Sequence, residues 1–429
     1  MTNKYIPRVI DHLLSRKLQG KGAVLIEGAK WCGKTTTAAQ FSKSILDLRK
    51  PQVLNSSIQL AQMDSSLLLR GETPRLIDEW QTIPELWDAV RAEVDDRNEF
   101  GQFLLTGSAV PLNLDTAASS IHHTGTGRIA RVKMRPMSLF ESGESNGKIS
   151  LSELFTAPES IYAETNIDIE QLAFLVCRGG WPQATFLNGD VALDQAYDYY
   201  EAVVNYDINR VDAIRRTSER ARLLLRSYAR HQGAQVNYQV ICSDMMQNDS
   251  KSLSDDTVAS YIDVLKKIFV IEDMPAWNPN LRSKTAIRNS DTRYFTDPSI
   301  GVAALGIGPM DFLKDLNTFG LFFEAMAVRD LRVFADALDG NLYHYRDKNN
   351  LECDAVLHRR DGSYGLIEIK LGGEKLISEG ASNLIALSNL IDTTKMHLPS
   401  FLMVLTGVGS YAYRRKDGVY VVPIGCLRN

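Results

Sequence analysis

Apolar residues gather in short uninterrupted runs separated by stretches with helical spacing. GAVLIE at 22–27 is a run of strand length, and TTAAQFSK at 36–43 has the composition of a helix. RLID at 75–78 and FLLT at 103–106 repeat the strand pattern, so the first third of the chain predicts a parallel α/β sheet. From 141 to 167 the composition shifts to Ser, Glu, Asn and Gly, which predicts a linker or loop-rich insertion and a boundary near residue 145.

Residues 168–232 read as helices. IEQLAFLVCRGGWPQA is broken at Gly179-Gly180-Trp181-Pro182, and the aromatics Tyr197, Tyr199, Tyr200 and Tyr206 are read as helix packing rather than a base-stacking surface. VNYQVICSDM, LSDDTVASYIDVLKKIFVIEDMPAW and LRSKTAIRNSDTRYFTDPSI then give a short helix, a turn, a longer amphipathic helix and two strand-like runs. Val258, Ile262, Leu265 and Phe269 share one face of the longer helix, and the order is that of a winged helix-turn-helix. Its second helix opens on Asp255, Asp256 and Asp263, with only Lys266 and Lys267 later, so a scaffold role is expected over base readout. After Pro309 an amphipathic helix, FGLFFEAMAVRDLRVFADAL, precedes the strand-like segments LYHYRDKNN, LECDAVLHRR and YGLIEIKLG, with FLMVLTG and YVVPIGCL completing a sheet.

A chain of 429 residues predicts two to four domains. Their expected limits are 1–145, 146–232, 233–308 and 309–429. The hydrophobic share of 44% and charged share of 23% exclude a wholly disordered or collagen-like chain. A net charge of −4 excludes a uniformly basic nucleic-acid coat, though not a local basic groove. Cys32, Cys177, Cys242, Cys353 and Cys426 show neither C-x-x-C pairs nor zinc spacing. With no signal-peptide pattern and no long apolar run, a cytoplasmic protein without membrane association is expected.

Gly28-Ala29-Lys30-Trp31-Cys32-Gly33-Lys34-Thr35 follows the first strand and leads into Thr36 and the helix, the G-x-x-x-x-G-K-T spacing of a phosphate-binding loop. The glycines let backbone N–H groups turn toward phosphate oxygens; Lys34 would bind the β- and γ-phosphates and the Thr35 hydroxyl Mg²⁺. In Asp78-Glu79, closing the second run, Asp78 would hold Mg²⁺ through water and Glu79 would polarise the attacking water. The plainer reading is a pair of acids capping the helix near Pro84. Thr106 and Ser108 end the next strand, where a γ-phosphate sensor would sit; an ordinary strand and turn is the alternative. Arg128 or Arg131 is a candidate arginine finger, from the same chain or a neighbour, or simply a surface position on an edge strand. Arg210, Arg215, Arg216, Arg220, Arg222, Arg226 and Arg230 form a basic stripe that would track phosphates or pair with acidic neighbours.

Near the C-terminus Asp354 lies in one strand and Glu368-Ile369-Lys370 in the next, so period two turns Glu368 and Lys370 to one face. An Asp followed by Glu-x-Lys is the pattern of a PD-(D/E)XK nuclease core. Asp354 and Glu368 would gather Mg²⁺, Lys370 would position the nucleophile, and Glu324 would contribute from the preceding helix. Alternating charges on a half-buried sheet are the other reading.

The order of these segments resembles, over essentially the full length, prokaryotic ATP-binding proteins that combine an AAA-type P-loop ATPase with a C-terminal domain of unknown function 4143. The resemblance rests on YIPRVIDHLL, GAKWCGKTT, RLIDEWQTIPELW, FLLTGSA, GRIARVKMRPMSLFE, GGWP, LSDDTVASYIDVLKKIFVI, RYFTDPSIG, FGLFFEAMAV, ECDAVL, LIEIKLG and VYVVPIGCL. It implies a doubly wound parallel P-loop NTPase sheet of the additional-strand Glu class, a helical and winged-helix middle, and a C-terminal restriction-endonuclease-like α/β domain. It implies an ATPase, with ATP and Mg²⁺ as cofactors; DNA or a protein is the partner expected of the C-terminal residues, and the candidate arginine finger makes a second copy plausible. The sequence departs in Trp31-Cys32 within the loop and Cys353 beside Asp354. A nucleotide-gated binding module without nuclease activity, and a small-molecule kinase, use the same loop.

Overall fold

The computed structural model describes residues 5–107, 126–209, 214, 216–246, 254–281 and 287–429. They form two compact units: Met1–Arg135 with Tyr206–Arg215 and Val264–Phe269, and Pro136–Asn205 with Arg216–Asp263 and Val270–Asn429.

In the first unit the strands β1 (Ala23–Glu27), β2 (Ser44–Asp47), β3 (Arg75–Asp78), β4 (Phe103–Gly107) and β5 (Ile129–Lys133) form one sheet in the order β2-β3-β4-β1-β5. Every pairing is parallel. Alternate side chains of one strand feed two separate cores. Ala23, Leu25, Ile77, Phe103 and Leu105 pack with Trp80, Leu86, Trp87, Val90 and Val94, whereas Val24, Ile26, Leu76 and Leu104 pack with Ile10, Leu14 and Ala38. The helices Leu86–Arg97 and Ile10–Gly20 thus cover opposite faces, which is why the strands read as continuous apolar runs. This is the doubly wound α/β arrangement expected from the sequence. In register, Asp47 neighbours Asp78, Asp78 neighbours Thr106, and Thr106 neighbours Ile26. The polar ends of four strands therefore meet at one edge, where ligands bind in open parallel sheets.

The second unit holds β6 (Ile149–Ser150), β7 (Ala163–Glu164), β8 (Gly340–Arg346), β9 (Glu352–Arg359), β10 (Tyr364–Lys370), β11 (Phe401–Thr406), β12 (Tyr411–Arg414), β13 (Tyr420–Pro423) and β14 (Leu427–Arg428). Seven of these form a mixed sheet ordered β7-β12-β13-β11-β10-β9-β8. Tyr364, Leu366, Val356 and Val404 face Ile377, Ala381, Leu384 and Leu387 of the helix Glu374–Leu390. The alternate positions Ala355, Leu357, Ile367 and Leu405 are also fully buried and point to the other face, and the helix Leu316–Ala337 packs on β8, β9 and β10. The Ser/Glu-rich stretch does more than connect: Ile149–Ser150 pairs with the chain end at Leu427–Arg428, and Ala163–Glu164 adds an edge strand beside β12.

The middle of the chain is helical at Ser218–Arg230, Tyr238–Met246 and Asp255–Lys267, and Ile271 and Met274 then bridge antiparallel to Phe295 and Thr292. A buried polar hub ties distant segments of this unit together. Arg329, 1% exposed, lies 3.0 Å from Asp297 and 2.7 Å from Asp330. Asp330 accepts from Leu139 N, and Asp297 from Gly180 N, Ser299 N and the Ser299 hydroxyl, which itself accepts from Trp181 Nε1. The conformation leaves no room for a side chain at Gly180, where a Cβ would lie 2.1 Å from Met137 O.

All five cysteines are buried and free of disulfides. Among the described residues no helix is long and apolar enough to cross a membrane.

Candidate functional site

The loop 28–33 leaves β1 and enters the helix Lys34–Gln40 through three left-handed backbone positions, Gly28 (φ 154°), Trp31 (φ 65°) and Gly33 (φ 103°). Gly28 is obligatory on contact grounds as well, because a Cβ there would stand 2.0 Å from Met134 O. Lys34 is buried and donates to the carbonyls of Gly28 at 2.8 Å and Ala29 at 2.7 Å, so its ammonium rests on the loop that would surround phosphate. Thr35 donates to Asp78 Oδ1 at 2.8 Å, while Thr36 faces solvent. Cys32 turns inward toward Met134 O, and Arg8 fastens the loop from behind, donating to Cys32 O at 2.8 Å and Arg135 O at 2.9 Å. Trp31 is 53% exposed. Lys30 pairs with the buried carboxylate of Asp207.

Asp78 is wholly buried at the end of β3, and its Oδ1 accepts from both Thr35 and Thr106. Arg49 Nε, from the turn after β2, is 2.8 Å from Asp78 Oδ2. Glu79 takes a left-handed conformation (φ 61°), and its carboxylate accepts from Gln81 Nε2 at 2.6 Å. Gly107 makes room for that arrangement, since a Cβ there would approach Gln81 Oε1 to 2.9 Å and Trp80 Nε1 to 3.1 Å. The structure therefore brings Gly28, Ala29, Gly33, Lys34, Thr35, Asp78, Glu79 and Thr106 to one edge of the sheet. Ser108 lies outside the described residues.

Arg128, a candidate finger, lies away from the loop 28–33 of its own chain. Its carbonyl accepts from Ala23 N, at the start of β1, whereas the phosphate loop follows the end of that strand. Its guanidinium is paired with Asp95 at 2.8 Å on the opposite edge. Arg131 sits mid-strand over the Trp87 ring, 3.6 Å from Glu27. Arg49 and Asp207 were not visible in the sequence pattern, since they reach the site through strand order and through a segment distant in the chain; Gln81 lies two residues past Glu79 but belongs to no motif.

The second constellation lies where β9 and β10 pair. Lys370 Nζ is 2.5 Å from Glu368 Oε2 and 3.1 Å from Asp354 Oδ2, and Ile369 N donates to Asp354 at 2.7 Å. Glu368 is fully buried beneath the helix Glu374–Leu390, close to Gly380, and its Oε1 has no hydrogen-bond partner. Burial, and then the neighbouring Asp354, push the Glu368 carboxyl well above its ordinary value. Burial opposes the charge on Lys370, but Asp354 and Glu368 outweigh it and hold the ammonium above its usual range. Glu324 accepts from the Tyr294 hydroxyl, and burial followed by Asp354 pushes it up to about 8. An orphaned buried carboxylate oxygen beside a second carboxylate suits a hard cation. Against a crowded metal centre, no three Asp, Glu, His or Cys side chains converge to hold an ion among the described residues.

Two arginines of the stripe are paired with acids and a third is buried against a hydroxyl. Arg222 binds Glu201 through two contacts of 2.7 and 2.6 Å, Arg230 pairs with Asp244, and Arg216 is buried against the Ser260 hydroxyl. Arg210 and Arg215 lie outside the described residues. Tyr199 and Tyr200 are buried, the Tyr199 ring 4.2 Å from that of Trp181 at a tilt of 30°, which fits helix packing, whereas Tyr197 and Tyr206 are exposed.

Residues 20–142 match the family described as AAA domain, and residues 319–427 match Domain of unknown function (DUF4143). Residues 169–311 match Domain of unknown function (DUF8612). Two uncharacterized proteins, of Mycobacterium bovis and Mycobacterium tuberculosis, are 26% identical over 419 residues, covering 96% of this chain and 82% of each relative. Among solved structures, the Walker-type ATPase of Pyrococcus abyssi is 15% identical, with 71% of this chain and 97% of that chain covered and a TM-score of 0.44. The Orc1 protein of Aeropyrum pernix in complex with DNA is 12% identical, covering 73% and 97%, with a TM-score of 0.24.

Proposed function

Since the chain joins an AAA domain to a C-terminal domain of unknown function 4143, we propose that it binds and hydrolyses ATP with Mg²⁺ and that nucleotide state controls a nuclease-like C-terminal domain acting on DNA. The observation that carries the ATPase reading is the meeting of Lys34, Thr35, Asp78 and Thr106 at one sheet edge. Thr35 and Asp78 would hold Mg²⁺, which supplies charge neutralisation between the phosphates. Lys34 exchanges the carbonyls of Gly28 and Ala29 for phosphate oxygens. Glu79, freed from Gln81, orients water for attack on the γ-phosphorus as the bond to the bridging oxygen breaks. The acidic pair favours hydrolysis over transfer to a small molecule, and a slow switch over a motor.

In the C-terminal domain Asp354 and Glu368 would hold the metal and Lys370 would position the attacking water, with Glu324 as a supporting acid. The helical segment ending in the 271–295 bridges serves as a winged-helix scaffold. We place the protein in the cytoplasm. A binding module without cleavage is the second reading, favoured by Lys370, which already contacts both carboxylates where a metal ion would sit.

The test is cleavage of plasmid, linear, branched and single-stranded DNA with Mg²⁺ or Mn²⁺, with and without ATP, comparing the parent with Glu79→Gln and Asp354→Ala. Cleavage by the parent that is lost in Asp354→Ala makes the domain a nuclease, and any change in Glu79→Gln makes it ATP-gated. A parent that hydrolyses ATP yet cuts nothing leaves the binding module standing.

A further inference from the structure

Arg128 is paired with Asp95 away from the loop 28–33, and the fold places another cation beside Asp78 that no motif announces. Arg49 follows β2, whose last residue Asp47 lies in register beside Asp78. Its Nε stands 2.8 Å from Asp78 Oδ2 and 2.8 Å from Asp47 Oδ1, and its Nη2 3.0 Å from Asp47 Oδ2. The other oxygen of Asp78 takes the Thr35 hydroxyl at 2.8 Å. A single carboxylate thus separates the guanidinium from the loop residue assigned to the metal. The field of Glu79 also reaches Arg49.

Resting on the ATP reading above, we propose that Arg49 is an in-chain arginine finger that contacts the γ-phosphate of bound ATP. Without nucleotide it serves as counter-ion to the buried Asp78, whose charge would otherwise stand unmatched. Once a divalent cation takes over that charge, the guanidinium is released from Asp78. Its side chain is 53% exposed, and its two bonds to Asp47 keep it at the site. A planar fork of donors then meets the oxygens on which charge accumulates during transfer. The contact distinguishes triphosphate from diphosphate, because only the former presents a γ-phosphate.

The experiment measures equilibrium binding of fluorescent mant-ATP and mant-ADP, with Mg²⁺, to the full chain and to Arg49→Ala, Arg49→Gln and Arg49→Lys, together with kcat and KM for ATP. Arg49→Ala is expected to weaken mant-ATP binding about tenfold, to leave mant-ADP within about twofold, and to lower kcat by about 10³. Arg49→Lys should recover part of the binding and little of the rate, because an ammonium lacks the fork. Equal weakening of both nucleotides, or no weakening of either, overturns the proposal and leaves Arg49 a structural counter-ion. Arg49→Gln, which keeps the stem and a donor, carries the same comparison if Arg49→Ala fails to fold. A parent chain that binds neither nucleotide instead removes the ATP reading itself.

Discussion

Arg329→Met isolates what the buried hub contributes to the second unit. The substitution retains most of the stem volume but deletes the guanidinium that stands 3.0 Å from Asp297 and 2.7 Å from Asp330, both buried. Removing one partner of a buried ion pair costs about 3–5 kcal/mol, against a total stability of about 5–15 kcal/mol. Donors from Gly180, Ser299 and Leu139 remain on the two carboxylates, which places the expected loss near 3 kcal/mol. The pH dependence tests the cause. In the parent, burial outweighs Arg329 and pushes Asp330 up to about 6. A carboxyl raised above its unfolded value contributes stability that is full below the unfolded pKa and is lost as pH rises through the folded one. Without Arg329 the folded value of Asp330 rises further, so the deficit of the variant should grow between about pH 5 and pH 8. Urea unfolding of parent and variant at both pH values, followed by tryptophan fluorescence, measures it; Trp181 sits on the hub. A deficit equal at the two pH values, or below about 1 kcal/mol at pH 8, would refute the electrostatic account and leave only lost packing.

Gly28→Ala should abolish nucleotide binding or unfold the loop, since its Cβ must displace Met134 O, and titration with mant-ATP alongside a thermal melt separates the two. Glu79→Gln should retain ATP affinity while lowering kcat about 10²–10⁴-fold in a phosphate-release assay. Lys370→Met leaves Asp354 and Glu368 unneutralised beside one another, so Mn²⁺ binding by calorimetry should change while stability falls by about 3–5 kcal/mol; unchanged stability would show that the trio is not an ion-paired unit.

The geometry of the loop 28–35 was legible because it is contiguous: eight residues carry the turn, the lysine and the hydroxyl. Asp78 and Thr106 were legible for a related reason, each ending an apolar run whose direction in a parallel sheet fixes which edge it reaches. The same rule sets Arg128, which precedes its strand rather than ending it, at the other edge, and nothing local to GRIARVK reveals that β5 lies beside β1. Arg49 and Asp207 are set by strand order and by a segment far along the chain, and so have no sequence signature. The Asp354, Glu368 and Lys370 grouping follows from strand period and a hairpin. The hub around Arg329 does not, since it draws on segments nearly two hundred residues apart that read separately as a turn, a helix break and an amphipathic helix.

The exposed indole on the phosphate loop gives the molecule an optical probe of its own. Trp80, Trp87, Trp181 and Trp277 are 1–4% exposed, while Trp31 is 53% exposed. Soluble quenchers such as acrylamide or iodide will therefore extinguish chiefly one emitter, the one at the mouth of the nucleotide site. Shielding of that emission reports occupancy in unlabelled protein, in real time and without a modified ligand.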